Sequence, residues 1–220
     1  LGKNFSNISL LPNKTIIAGS ATTDKKVAEF ACENDIGGLE FLSCIPGSVG
    51  GGVRMNSGCF ETEFKDILLS VQALDRSGKV LTIPSSSIKF DYRKSDLPRD
   101  LIFLSASFKG KFKKKDLVER DMKIFKKKKD NAQPTQVKTG GSTFKNPIKQ
   151  TNKKVWELIK SSVPKNTTFG GAMISDKHSN FFVNKNKATF DDMKKLIDFV
   201  KKNVKEKTGI NLDLEIEIVG

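Results

Sequence analysis

The stretch IPGSVGGGVRMNSG, from Ile45 to Gly58, holds five glycines in the twelve residues between Gly47 and Gly58. Such a backbone can fold tightly and bring bare N–H groups up to an anion. No Gly-Lys-Ser/Thr follows, so it is not a Walker loop. Gly47 is followed by Ser48-Val49-Gly50, which breaks the Rossmann spacing. On spacing alone two readings stay open: a cradle for a phosphate or cofactor, and a structural glycine-rich turn.

Outward from this stretch the pattern mixes strands and helices. TIIAG (15–19) reads as a strand, and Thr23 to Asn34 as a helix with Val27, Phe30 and Ala31 inward. Ile67 to Leu74 and Lys79 to Ile83 flank the turn Asp75-Arg76-Ser77-Gly78 and predict a hairpin. Leu101 to Phe108 is a further strand, and Leu117, Val118, Met122 and Phe125 give an amphipathic helix that runs into KKKK at 126–129. In the second half Val155 to Val163 predicts a helix, and Met173–Ile174 and Phe181–Val183 predict strand pieces. Thr189 to about Thr208 forms the clearest helix, with Thr189 and Asp192 as a capping box and Gly209 as its close. The ending LDLEIEIVG alternates apolar and acidic residues, so a strand is expected with Asp213, Glu215 and Glu217 on one face. Without regular βαβ spacing the class is α+β. The composition shift near 110–131 suggests two domains, 1–112 and 113–220.

At 220 residues the chain can bury a real core. It has no apolar run long enough to span a bilayer, and LGKNFSNISL lacks the pattern of a signal peptide. Cys32, Cys44 and Cys59 make no CxxC pair, which suits a reducing cytoplasm. With a single histidine, His178, they do not compose a zinc set. The net charge of +14 invites a nucleic-acid reading, but 34 of the 39 basic residues are lysines, and there is one Tyr and one Trp. Arginine forks and exposed aromatics are what such binding uses, so the lysines read as solvated helix faces and no nucleic-acid partner is expected.

Three more stretches could carry chemistry. GGSTFKNP (140–147) strips the backbone just where Ser142 is presented and closes on a proline, which predicts a turn rather than a central strand. FDYRKS (90–95) sets Tyr92 beside Arg93, a guanidinium able to clamp a carboxylate. His178, in SDKHSN, lies far from any Ser-x-Gly elbow, so nothing marks a hydrolase nucleophile. Glu215, by itself, reads as one acid on the solvent face of an edge strand.

Taken in order, GGLEFLSCIPGSVGGGVRMNSG, FDYRKS, GGSTFKNP, GGAMISDKHSNFFVN and LDLEIEIVG resemble the UDP-N-acetylenolpyruvoylglucosamine reductase family, from about Ile16 to Gly220. The resemblance implies part of a vanillyl-alcohol-oxidase-like FAD-binding domain, followed by a C-terminal α+β substrate domain. It also implies the shorter subtype, without an extra loop, and a Gly-Ser-Asn phosphate loop that members carry ahead of the matching stretch. It implies a cytoplasmic monomer of peptidoglycan precursor synthesis that uses FAD, takes hydride from NADPH and acts on a UDP-sugar, with no nucleic-acid or membrane partner. It assigns Ile45, Pro46, Gly47, Ser48, Gly50, Gly51, Gly52, Asn56 and Gly58 to the cofactor, and Ser142 as general acid. Arg93 and Glu215 hold the substrate's carboxylate end. Tyr92, Lys145, Asn146 and Asn180 become substrate contacts. Two features depart from the family pattern: Asp213 stands in place of a first Glu, and 161–168 lacks an Ala-Gly-Leu-x-Gly turn.

Overall fold

The computed structural model describes residues 1–219. The chain forms two compact units, Leu1–Lys129 and Asp130–Gly220. The division falls within the compositional shift and beyond residue 112. The helix Lys115–Ala132 goes largely with the first unit, because its Met122 and Phe125 pack on that unit's core. Lys113 is tied into the same unit, with its ammonium 2.6 Å from both Glu40 and Asp121.

The first unit is built on a five-stranded antiparallel sheet. Its order is Ile8–Leu10, Thr15–Gly19, Ile102–Lys109, Leu68–Leu74 and Val80–Pro84. The last pair is the expected hairpin, running from Leu74 opposite Val80 to Ser70 opposite Pro84. Ile16, Ala18, Val71, Ala73, Ala106 and Phe108 alternate inward from the sheet, as period-2 side chains must. Against them lie Val27, Ala28 and Ala31 of the helix Asp24–Glu33, whose Thr23 hydroxyl caps the Lys26 N–H.

The glycine-rich stretch is neither loop nor turn in its centre: Val49–Met55 is a helix. Glycine disfavours helix by about 1 kcal/mol per residue relative to alanine, so tertiary packing overrides propensity here. Gly52 faces the ring of Phe64, which is fully buried, and Asn56 ends the helix in the left-handed region.

The second unit has a four-stranded antiparallel sheet, ordered Thr139–Ser142, Phe181–Asn184, Ala172–Ile174 and Thr168–Phe169. Val155–Ser162 and Phe190–Thr208 cover one face, burying Leu158, Ile159, Leu196, Ile197, Val200 and Val204 with Ala172 and Phe182. The long helix carries the expected ends: Thr189 and Asp192 cap each other's backbone N–H, and Gly209 closes it at φ 73.

Two expectations need correction. GGSTFKNP is not a turn: its first half lies in an edge strand, irregular between Thr139 and Ser142, where Gly141 takes φ 85. The ending is not a strand either. It makes one isolated bridge, Phe144 with Leu214, flanked by Lys145 N–H to the Asp213 carbonyl and Glu215 N–H to the Thr143 carbonyl. Leu212 is buried, while Leu214 and Ile216 lie half-buried against the second core; sealing that core leaves no ladder to extend.

Candidate active site

In the first unit the expected cofactor residues form one continuous surface. Ile45 and Ser48 are partly buried; Pro46, Gly47 and Gly51 are exposed. The donors are less open than the sequence suggests. The Val49 N–H is bonded to the Thr22 carbonyl and the Gly50 N–H to the Ser20 carbonyl, both at 2.9 Å, so neither is offered outward. What remains is bare main chain: a Cβ on Gly51 would find only the Ser48 hydroxyl, at 3.8 Å. Beneath it, the Thr22 hydroxyl and both Asp24 carboxyl oxygens are buried without a hydrogen-bond partner. Burial alone lifts the Asp24 carboxyl to about 7. A glycine-faced surface over unanswered polar groups fits the polar part of a flavin nucleotide, so these residues suit FAD.

Asn56 is fully buried and its side chain is already spent. It donates to Glu63 Oε2 (2.9 Å) and the Asp91 carbonyl (3.2 Å) and accepts from the Lys65 N–H (3.0 Å). It therefore anchors the cofactor stretch rather than reaching outward. Gly58 opens the hairpin Gly58–Cys59/Thr62–Glu63, and its carbonyl accepts from Arg93 at 2.9 Å. Arg93 sits at φ 54 in the turn between Phe90–Asp91 and Lys94–Ser95, with its guanidinium 4.9 Å from the Tyr92 ring. Thus Arg93, Tyr92, Asn56 and Gly58, assigned separately from the sequence, meet in one place.

In the second unit the sheet edge gathers a second set. Ser142 pairs with Phe181, and Asn180 clamps Phe144, two residues on: its side chain accepts from the Phe144 N–H (3.0 Å) and donates to the Phe144 carbonyl (2.9 Å). Asn180 is buried, so its work is to fix the segment that carries Ser142. Glu215 is brought alongside through its N–H bond to Thr143, and Lys145 through its N–H bond to Asp213. Asn146 accepts the Val155 N–H at 3.0 Å, joining this segment to the start of the Val155–Ser162 helix.

Sequence reasoning missed a cavity of about 570 Å³ in the same unit, lined by Trp156, Lys160, Lys165, Asn166, Lys177 and His178 among others. The His178 ring lies 6.4 Å from Trp156 and edge-on to Phe181 at 4.9 Å, and burial pushes its pKa down, so it is neutral at neutral pH. The signal was present as the lone Trp, the lone His and the lysines of 156–178, scattered over a helix and two loops.

Two of the thiols are unsuited to nucleophilic work: Cys59 is pushed up to about 12, chiefly by burial, and Cys32 is raised for the same leading reason. Among the described residues there is no His/Cys/Asp/Glu group able to hold a metal, and no helix is long and apolar enough to cross a membrane.

Comparison with known proteins agrees with this division. Residues 133–219 match the model of the UDP-N-acetylenolpyruvoylglucosamine reductase C-terminal domain, and residues 1–84 match an FAD binding domain. The chain is 64% identical to the UDP-N-acetylenolpyruvoylglucosamine reductase of Pelagibacter ubique, over 100% of this chain and 72% of that protein. It is 41% identical to the one of Rickettsia conorii, over 100% and 73%. The crystal structure of UDP-N-acetylenolpyruvylglucosamine reductase from Thermus caldophilus superposes with a TM-score of 0.84 at 31% identity, covering 99% of this chain and 76% of that one. The chain therefore belongs to the UDP-N-acetylenolpyruvoylglucosamine reductase family.

Proposed function

We propose that this chain catalyses the NADPH-dependent reduction of UDP-N-acetylenolpyruvoylglucosamine to UDP-N-acetylmuramate, a cytoplasmic step of peptidoglycan precursor synthesis, and acts as a monomer. What carries the reading is that 64% identity runs through the whole chain, over the FAD-binding part and the substrate part alike. Bound FAD supplies the hydride chemistry between NADPH and the enolpyruvyl group. The remaining work belongs to side chains.

Arg93 holds the substrate carboxylate, where a planar fork matches both oxygens. Carbanion character develops at the adjacent C2, and a cation in a low-dielectric site lowers its cost. Ser142 gives its hydroxyl proton to C2. A serine is a poor acid in water, but a strongly basic carbon held at fixed distance suits it. Support for Ser142 comes from its setting: bare glycines on one side, a backbone clamp from Asn180 on the other. Glu215, whose N–H bonds the Thr143 carbonyl, is assigned to stabilising the charge of the substrate's carboxylate end, and Tyr92, Lys145 and Asn146 are assigned as substrate contacts. The Trp156–His178 cavity fits the uridine diphosphate end, with rings for the base and lysines for the phosphates.

The test is direct: full-length protein, NADPH and UDP-N-acetylenolpyruvoylglucosamine are mixed and the product is weighed by mass spectrometry. A product heavier than substrate by one hydride and one proton, formed as NADPH absorbance falls, is expected. NADPH consumption without that product would overturn the proposal.

A further inference from the structure

Arg93 is held in a costly conformation. A non-glycine residue in the left-handed region is strained and persists only where its surroundings force it. Two groups that meet its guanidinium lie on a neighbouring hairpin. The Gly58 carbonyl accepts from one end of the guanidinium at 2.9 Å, and Glu63 Oε1 lies 3.6 Å from the other. Both Arg93 and Glu63 are largely enclosed, at 18% and 19% side-chain exposure, so solvent screens the pair less than it would a surface pair.

Glu63 is itself over-determined. Its second oxygen accepts from Asn56 at 2.9 Å and lies 2.8 Å from the Lys65 ammonium. That leaves Oε1 turned to Arg93. The hairpin closes tightly enough to bring Gly58 and Glu63 together: a Cβ on Gly58 would lie 2.4 Å from the Thr62 carbonyl and 2.7 Å from Glu63 Cγ. Its tip is strained as well, with Phe60 at φ 51 and Glu61 at φ 64, and the Phe60 ring is stacked on Phe125 at 4.7 Å and 8°. Four non-glycine residues with positive φ (Asn56, Phe60, Glu61, Arg93) thus fall on the helix end and the two hairpins that carry this carboxylate and guanidinium.

We infer that Glu63 is a positioning residue, which fixes the Arg93 guanidinium before substrate arrives; this rests on the reading that Arg93 binds the substrate carboxylate. A free arginine carries much rotamer entropy, and ordering it in advance removes part of that cost from binding.

The experiment is a double-mutant cycle in full-length, FAD-loaded protein, reading KM for the UDP-sugar and the rate of NADPH-driven flavin reduction. Glu63→Gln retains an acceptor for Asn56 but removes the charge facing Arg93. It should raise KM roughly tenfold, the equivalent of about 1.4 kcal/mol, and leave flavin reduction near the wild-type rate. In an Arg93→Lys background the same change should add little, since a residue acting through Arg93 has nothing left to position. A normal KM in Glu63→Gln with a raised KM in Arg93→Lys overturns the inference and leaves the role of Arg93 standing. Normal KM in both removes Arg93 from the site. Equal penalties in both backgrounds show that Glu63 acts independently, which also overturns the inference. Melting curves accompany each variant; if Glu63→Gln does not fold, the cycle is run with Glu63→Asp, and the same outcomes decide.

Discussion

At Gly52 a methyl group would sit 2.1 Å from the Phe64 ring, whereas at Gly141 it would meet nothing within 4 Å. Both glycines belong to stretches that the sequence marks as functional. In the first stretch absence of a side chain permits close packing, helix on ring at Gly52, helix on strand end at Gly50, strand on strand at Gly58. In the second it permits a backbone conformation at Gly141 and open approach at Gly140, next to Ser142. Glycine content alone does not distinguish them; the neighbours do. The two stretches should therefore fail in different ways when altered, the first through folding and the second through reaction.

The largest effect is expected at the acid under the first stretch. Asp24 is fully buried, and its carboxyl is raised to about 7 from 3.8, with burial as the cause. The folded protein therefore holds a proton that the unfolded chain releases. The contribution of Asp24 to stability is greatest below about pH 4, falls as pH rises toward 7, and levels off above it, by up to about 4 kcal/mol. Asp24→Asn, neutral at all pH, should flatten that slope and melt higher than wild type at pH 8. Parallel slopes in denaturant titrations across pH would show that Asp24 finds a partner in solution.

Next comes Gly52→Ala. The Phe64 ring it strikes is completely buried, so it cannot swing aside, and overpacking of this kind costs about 3 kcal/mol. Melting temperature reads it. A loss below about 0.5 kcal/mol would mean that the helix slides and the packing argument for the first stretch is wrong.

Ser142→Ala should do the reverse: little change in stability, but the substrate half-reaction slowed by at least ~100-fold, the low end for a positioned general acid. NADPH-driven flavin reduction should stay near wild type, because that half needs no proton at C2. Stopped-flow traces of the two halves separate them; substrate reduction at the wild-type rate would remove Ser142 from the acid role.

How much of this was legible beforehand varied with how local the signal was. The Phe190–Thr208 helix could be read to its caps, since Thr189, Asp192 and Gly209 are all within the chain's own neighbourhood. The Asp75–Gly78 hairpin was local too. The helix at Val49–Met55 was not legible, because glycines argue against helix and only Phe64 and Ser20, distant in sequence, explain them. The ending misled for the opposite reason: its period of two was genuine, but a strand needs a partner, and Leu214 finds only Phe144. Residue identities at the candidate site were legible as a family pattern. The jobs of Asn56 and Asn180 were not, since both amides turn inward onto backbone from elsewhere in the sequence.

The smallest expected effect on stability is the sharpest for the comparison: Gly140→Ala. Gly140 is exposed, lies in an edge strand, and has φ outside the left-handed region, so alanine is allowed there. The added methyl would meet only Ile216 Cγ2 at 3.4 Å, and Ile216 is part-exposed and able to give. Alanine also restricts the unfolded chain, which by itself favours folding by about 0.4–1 kcal/mol. Stability should thus move by less than about 0.5 kcal/mol either way. Its neighbour is the control: at Gly141, with φ 85, alanine is strained by of order 1 kcal/mol although nothing crowds it. If bareness beside Ser142 serves approach, Gly140→Ala should raise KM for the UDP-sugar while melting like wild type. Wild-type KM together with wild-type melting would mean that only Gly141 is required, for its conformation, and the second stretch would then resemble the first in using glycine for structure alone.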